Sequence, residues 1–275
     1  MRLFLACVAW LVAVLAGGVA LTTGWVATHV TSEDGWVRLT ETFATDPALE
    51  KALVEQVTDE LASSKVPAIL RPAVREGVAA AARRAVEDPG WSEAWRESQR
   101  RSHALVLHAD DSDRLTVDIA PMADYVLDRV TGDLPVPVDA PDRLLVRLDS
   151  DVEPSTFERI RQAPDVALAA VVVTGLASSV VLLAARRRGR ALVALGVGGL
   201  LVAGAGLVLG DVLLPNLTDR TSASTQLARS VTDLLAGRVA DSLRGWVLVT
   251  GAASLGVALV GALATVVAGR RASVD

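Results

Sequence analysis

Charge is absent from two long stretches of this chain. No Asp, Glu, Lys or Arg lies between Val166 and Ala185, and none between Ala191 and Gly210. A helix rises about 1.5 Å per residue, so either run can cross a hydrocarbon layer about 30 Å thick. Cysteine is nearly absent too. Cys7 stands alone inside a first apolar run, which excludes an intramolecular disulfide. It reads as a membrane-buried thiol, because too few residues precede it to hold the cleavage site that lipid modification needs. Lysine occurs only at Lys51 and Lys65 among 27 basic residues, a bias of the kind high-GC bacterial genomes produce. Missing as well are a Gly-x-Ser-x-Gly elbow, a phosphate-cradling glycine loop and a His-Glu-x-x-His pair. Without these signatures no cofactor and no metal site are expected.

What is present is apolar surface, concentrated in four runs. The 275 residues are 51% hydrophobic with a mean hydropathy of +0.40, too apolar for a soluble domain of this length. Leu3 to Val30 is the first run; a signal peptide shares its basic start, but its length and a best cleavage site buried inside it favour a retained anchor. The second and third runs flank Arg186, Arg187, Arg188, Gly189 and Arg190, a short basic loop. The fourth, Trp246 to Ala268, is stopped by Arg270 and Arg271. Short Arg-rich segments stay cytoplasmic, so these arginines and Arg2 place both termini inside, with Trp25, Trp36 and Trp246 near the outer interface. The expected layout is an anchor over 1–30, an extracytoplasmic domain over 31–165, a hairpin of crossings over 166–214, an outer amphipathic segment over 215–245, and a fourth crossing with its tail over 246–275. This is an α-helical multi-pass membrane protein, a four-helix transmembrane bundle carrying an α+β, mostly helical, outer domain in the cell membrane.

The outer domain is acidic. Between His29 and Asp165 stand 27 acidic and 16 basic residues, a net of −11 that argues against a nucleic-acid partner. Asp46-Pro47 opens a helix marked by Leu49, Leu53, Val57 and Leu61, and a second follows through Val74, Val78, Ala82 and Val86. Asp88-Pro89-Gly90 precedes a third, which carries Trp95, Gln99 and His103 on one face. The period then changes to two at Leu115, Val117 and Ile119, a strand. A short helix begins at Pro121, a second strand runs through Leu144, Val146 and Leu148, and a helix through Phe157 and Ile160 returns the chain to the membrane. In the outer segment, Leu227, Val231, Leu234 and Leu235 mark a helix lying on the membrane surface or against the outer domain.

Small residues recur every three or four positions in the crossings. Ala6, Ala9, Ala13, Ala16, Ala20, Thr23 and Ala27 do so in the first run, and Ala170, Thr174 and Ala177 in the second. The third has Gly196, Gly199, Ala203, Gly206 and Gly210, and the fourth Gly251, Ser254, Ala258, Gly261, Thr265 and Ala268. Such stripes let membrane helices approach closely and predict a compact bundle, although an Ala- and Gly-rich sequence also produces them by chance. Asp211, the one acid attached to a crossing, falls about 30 Å from Arg190 at the outer edge of the hydrocarbon, with Pro215 closing the run. The crossings hold no charge relay, so a transporter or pump is not expected. His103, His108, Asp110, Asp111 and Asp113 lack the spacing of a metal site and read as a solvated acidic turn.

Trp95-(x)3-Gln99-Arg100-(x)2-His103 followed by Val117-Asp118-Ile119-Ala120-Pro121-Met122 resembles a family of uncharacterised four-pass integral membrane proteins of high-GC bacteria. The resemblance implies an extracytoplasmic domain between the first two crossings and an arginine loop after the second. The family carries asparagine where this chain has Gln99, and the resemblance brings no activity with it. Trp95, Gln99, Arg100, His103 and Asp118 are therefore the candidate cluster. A helix followed by a strand could bring His103 and Asp118 together, either as a buried hydrogen-bond network or as a base, ligand set or pH latch. Two functions follow. In one, the protein presents its outer domain as sensor, scaffold or regulator to an envelope protein or ligand, the bilayer being its other partner. In the other, it is an envelope enzyme using the His103/Asp118 region.

Overall fold

The computed structural model describes residues 1–47, 87–108, 115–131, 142–148, 154–218 and 226–271, with isolated positions between 51 and 85. The helices expected from Leu49 and Val74 onward, and the acidic turn at Asp110, lie outside the described residues. In chain order the elements are α1 (Arg2–His29), α2 (Glu33–Thr40), a 3-10 turn (Glu41–Thr45), α3 (Pro89–His108), β1 (Leu115–Asp118), α4 (Ala120–Thr131), β2 (Leu145–Leu148), α5 (Pro154–Arg161), α6 (Ala163–Ala184), α7 (Arg188–Thr218) and α8 (Gln226–Arg271). They form two compact units. One comprises Met1–Thr31, Arg159–Leu217 and Val239–Asp275; the other comprises Ser32–Glu158 and Thr218–Arg238.

Four helical stretches are long and apolar enough to cross a membrane: α1, α6, Arg188–Gly210 of α7 and Asp233–Ala268 of α8, the last lying in the first unit from Val239 onward, and they make that unit a bundle. The protein is thus a helical multi-pass membrane protein. Lipid chains are as apolar as leucine, so nothing squeezes these helices together, and close packing must supply the attraction. The antiparallel pair α7–α8 does so through its small residues. A Cβ on Gly196 would lie 2.6 Å from that of Ala258 and 2.7 Å from the Ser254 carbonyl oxygen, and one on Gly199 would lie 2.8 Å from the Ser254 Cβ. Nearer the arginines, a Cβ on Gly261 would lie 2.7 Å from the Gly189 oxygen. Toward the other end Ala203 meets Gly251, and Gly206 meets Val247 and Leu21. The stripes in the third and fourth runs are therefore a contact surface.

Helices α1 and α6 also run antiparallel, burying Ala9 and Ala13 on one side and Ala163, Ala167, Ala170, Ala177 and Val181 on the other. Steps of four, three and seven residues on α6 are the spacing of a coiled-coil seam. Helix α1 reaches α7 as well, for the Trp10 indole donates to the Ala194 carbonyl at 2.7 Å, over Gly198. At the opposite end of α1, Trp25 donates to Ser242 Oγ at 3.1 Å, and His29 stacks on Trp25 with its edge toward Trp246. Several hydroxyls within the crossings are satisfied locally, as where Thr174 and Thr250 donate to the carbonyls of Ala170 and Trp246.

Two details differ from the sequence reading. The connection between α6 and α7 is only Ala185 to Arg187, and Arg188 and Arg190 already belong to the first turn of α7. The segment 215–245 is not a separate element: α7 continues through Pro215 to Thr218, and α8 begins at Gln226 and runs unbroken into the fourth crossing. Proline near a helix end sacrifices one backbone hydrogen bond without forcing a stop.

The contacts at Gly196 make a sharp expectation. Gly196→Ala forces two backbones apart and should lower the melting temperature of the full-length protein in detergent by several degrees. Gly204→Ala, where nothing lies within 4 Å, should leave it unchanged or slightly raised. Equal responses would mean that the stripe does not hold α7 to α8.

Candidate functional site

The second unit is built around α3. Asp88 begins the helix, its carboxylate accepting from the Gly90 amide at 2.8 Å, with Pro89 at the first helical position. Trp91, Ala94, Trp95, Ser98, Gln99, Ser102 and His103 make one buried face, spaced by three and four. The opposite face carries Glu93, Arg96, Glu97, Arg100 and Arg101.

The buried face has two parts. At its N-terminal end Trp91 and Trp95 join Phe43, Ala44, Ala85 and Met122 in an apolar core, with Tyr125, Leu234 and Leu235 against it. The indoles also bind backbone. Trp91 Nε1 donates to the Ala44 carbonyl at 2.7 Å, and Trp95 Nε1 donates to the Thr40 carbonyl at 3.0 Å. They satisfy carbonyls at the ends of short helical segments, where helical partners run out.

The C-terminal part is polar and centres on Asp118, the last residue of β1. Its side chain is an Asx cap for α4: Oδ1 accepts from the Ala120 amide at 3.0 Å and from the Leu144 amide at 3.2 Å. Its backbone is held by α3. Ser98 Oγ donates to the Asp118 carbonyl, and the Asp118 amide donates to Ser102 Oγ at 2.9 Å. Ser102 in turn donates to the Ser98 carbonyl at 2.7 Å. Beside them β1 and β2 pair antiparallel with Asp118 opposite Leu145, and the Ile119 amide donates to the Leu144 carbonyl at 2.9 Å. One residue thus ties α3, α4 and β2 to β1. Asp118 is 2% exposed and Ser98 is wholly buried.

Of the candidate cluster, Trp95, Gln99, His103 and Asp118 are brought into this interior. Gln99 Oε1 accepts from Trp36 Nε1 at 3.2 Å, and the His103 ring lies 6.4 Å from that of Trp36, inclined by 32°. The Asp118 carboxylate is taken up by main-chain amides, not by the imidazole. Arg100 lies on the other face, paired with Glu33, Glu93 and Glu97. Its guanidinium is held above the ordinary arginine range, first by the hydrogen bond with Glu97 and then by Glu93, against a desolvation that lowers it. Arg96 to Glu41 and Glu93, and Arg101 to Glu97, complete a solvent-exposed ion-pair lattice joining α2 and the 3-10 turn to α3. Ser98 and Ser102 were not singled out from the sequence, although both share the buried phase of Trp91 and Trp95.

A groove of about 520 Å³ opens between α3 and α4, lined by Glu93, Glu97, Arg101, Pro121, Asp124 and Asp142. Among the described residues no group of three or more His, Cys, Asp or Glu is arranged to hold a metal ion.

Removing the Asp118 carboxylate leaves the buried Ala120 amide and the partly buried Leu144 amide without their acceptor, at a cost of about 1–3 kcal/mol. Asp118→Ala and Ser102→Ala should each lower the melting temperature of the full-length protein. The double variant should lose less than the sum, since both act on one segment. Asp118→Asn, which keeps the accepting oxygen, should recover most of the loss. Additive effects, or an unchanged Asp118→Ala, would show that this network does not hold the unit together.

No protein-family model, curated protein or solved structure matches the chain, so its geometry alone carries a functional reading.

Proposed function

We propose that this is a cell-membrane protein which presents its second unit outside the cytoplasm as a sensor, scaffold or regulator. Both termini are then cytoplasmic. In this reading the second unit is an extracytoplasmic α+β domain, and the chain belongs with the four-pass family that its Trp95–His103 and Asp118–Met122 segments resemble. One observation carries the non-enzymatic choice: the polar groups that might do chemistry are engaged inside the fold. Asp118 caps a helix and clamps the β1–β2 strand pair, Gln99 receives the Trp36 indole, and His103 is 6% exposed beside that indole. Groups so enclosed secure a shape for others to recognise. Orientation rests on the arginines at one end of the bundle, since Arg-rich ends of short connections stay in the cytoplasm.

Reporters fused after Ser150 and Ser222 should be active only as extracytoplasmic reporters, and those after Arg187 and Asp275 only as cytoplasmic ones. A cytoplasmic signal after Ser150 would overturn the orientation. The choice against an enzyme is tested by carbethoxylation of the folded full-length protein, read by peptide mass spectrometry. His103 should react many times more slowly than in the denatured chain. Rapid modification with the fold intact would favour the envelope enzyme that works through His103.

A further inference from the structure

The four crossings alternate in direction, so the start of α1, the end of α6, the start of α7 and the end of α8 meet at one end of the bundle. That end holds Arg2, Arg186, Arg187, Arg188, Arg190, Arg270 and Arg271. The acids nearest along the chain, Asp165 and Asp211, belong to the far ends of α6 and α7, and Asp275 lies outside the described residues. Arg186, Arg187, Arg188 and Arg190 are exposed, and among the described residues no carboxylate pairs with them.

Their position works against the helix. Positive charge at a helix N-terminus opposes the macrodipole, and the preferred caps there are Ser, Thr, Asp or Asn. Helix α7 has none of these. The Arg187 carbonyl accepts from the Arg190 and Ala191 amides, so Arg187 stands at the capping position with a side chain that cannot accept a hydrogen bond. The amides of Arg188 and Gly189 face the end of the helix with no carbonyl to reach. Gly189 also brings this turn against α8, since a Cβ there would lie 2.9 Å from the Gly261 oxygen. Arg270 and Arg271 differ: they stand at a helix C-terminus, where the dipole favours cations.

Four uncompensated guanidiniums, two orphan amides and the positive end of a 31-residue helix converge on one place. Each calls for an anion. Exposed apolar side chains stand at the same helix ends, Leu3 and Phe4 on α1, Leu183 on α6 and Val267 on α8. The partner must therefore carry its negative charge at the edge of hydrocarbon. We propose that this end of the bundle binds anionic phospholipid, with a headgroup phosphodiester seated at the start of α7. Arg186, Arg187, Arg188 and Arg190 supply the counter-charge, and the acyl chains lie along the apolar flank. The inference rests only on the four crossings and stands apart from the role of the second unit.

The test uses purified full-length protein in a nonionic detergent, titrated separately with phosphatidylglycerol, phosphatidylcholine and inorganic phosphate. Phosphatidylglycerol should raise the melting temperature by about 2–5 °C, through binding to the folded state, and high salt should shrink that shift. Phosphatidylcholine and phosphate should leave it unchanged. Arg188→Gln with Arg190→Gln should lose at least half of the shift while keeping Arg186 and Arg187 to orient the hairpin. The fourfold Gln variant should lose all of it. Equal shifts from both lipids, or from free phosphate, would overturn the proposal on the wild-type protein alone. A full phosphatidylglycerol response in the double variant would move the site elsewhere.

Discussion

The bundle depends on the approach of two backbones. Where α7 and α8 touch at Gly189, Gly196, Gly199 and Gly261, there is no room for a Cβ. In water such a contact would be a small addition to hydrophobic burial. In hydrocarbon it is the principal attraction available, because an exposed leucine loses nothing by facing lipid. The outward side chains bear this out: Leu168, Leu176, Leu183 and Leu263 are each more than 60% exposed, whereas the buried positions on α6 are mostly alanine. Size, not hydrophobicity, selects the inside of this unit.

The second unit follows the opposite rule. Its core is made of the largest side chains, Trp91, Trp95, Phe43 and Met122, and its indoles also satisfy backbone carbonyls. Next to that core lies the Asp118 network, in which buried polar groups are matched to amides and hydroxyls. A carboxylate bound by two amides fixes where α4 starts and where β2 lies. The ion-pair lattice on the outer face of α3 adds little by comparison, because solvent screens exposed pairs.

The convergence of arginines links these facts to the bilayer. A tight hairpin between α6 and α7 is reached with a three-residue connection. The four arginines of that connection and of the first turn after it crowd the start of α7. Cations at that end oppose the helix dipole, and the anionic headgroup proposed above would offset them.

Much of this was legible one residue at a time. Runs without charge announced the crossings, since length and apolarity alone decide whether a helix suits hydrocarbon. Alternation at Leu115 to Ile119 and at Leu144 to Leu148 announced the strands, and the helical spacing of Trp95, Gln99 and His103 announced one face of α3. Other features depend on partners distant in sequence. Nothing local says that Ser98 and Ser102 bind the backbone of Asp118, that Trp36 answers Gln99, or that Arg100 turns away from the cluster toward Glu33 and Glu93. Nor does Pro215 tell whether α7 ends at it or runs past it. The sequence by itself determined that the chain holds four segments long and apolar enough to cross a membrane, because that follows from composition summed along a segment. Only the tertiary structure decided which small residues meet and which polar groups are enclosed, because close contact and desolvation belong to pairs of residues that the fold brings together.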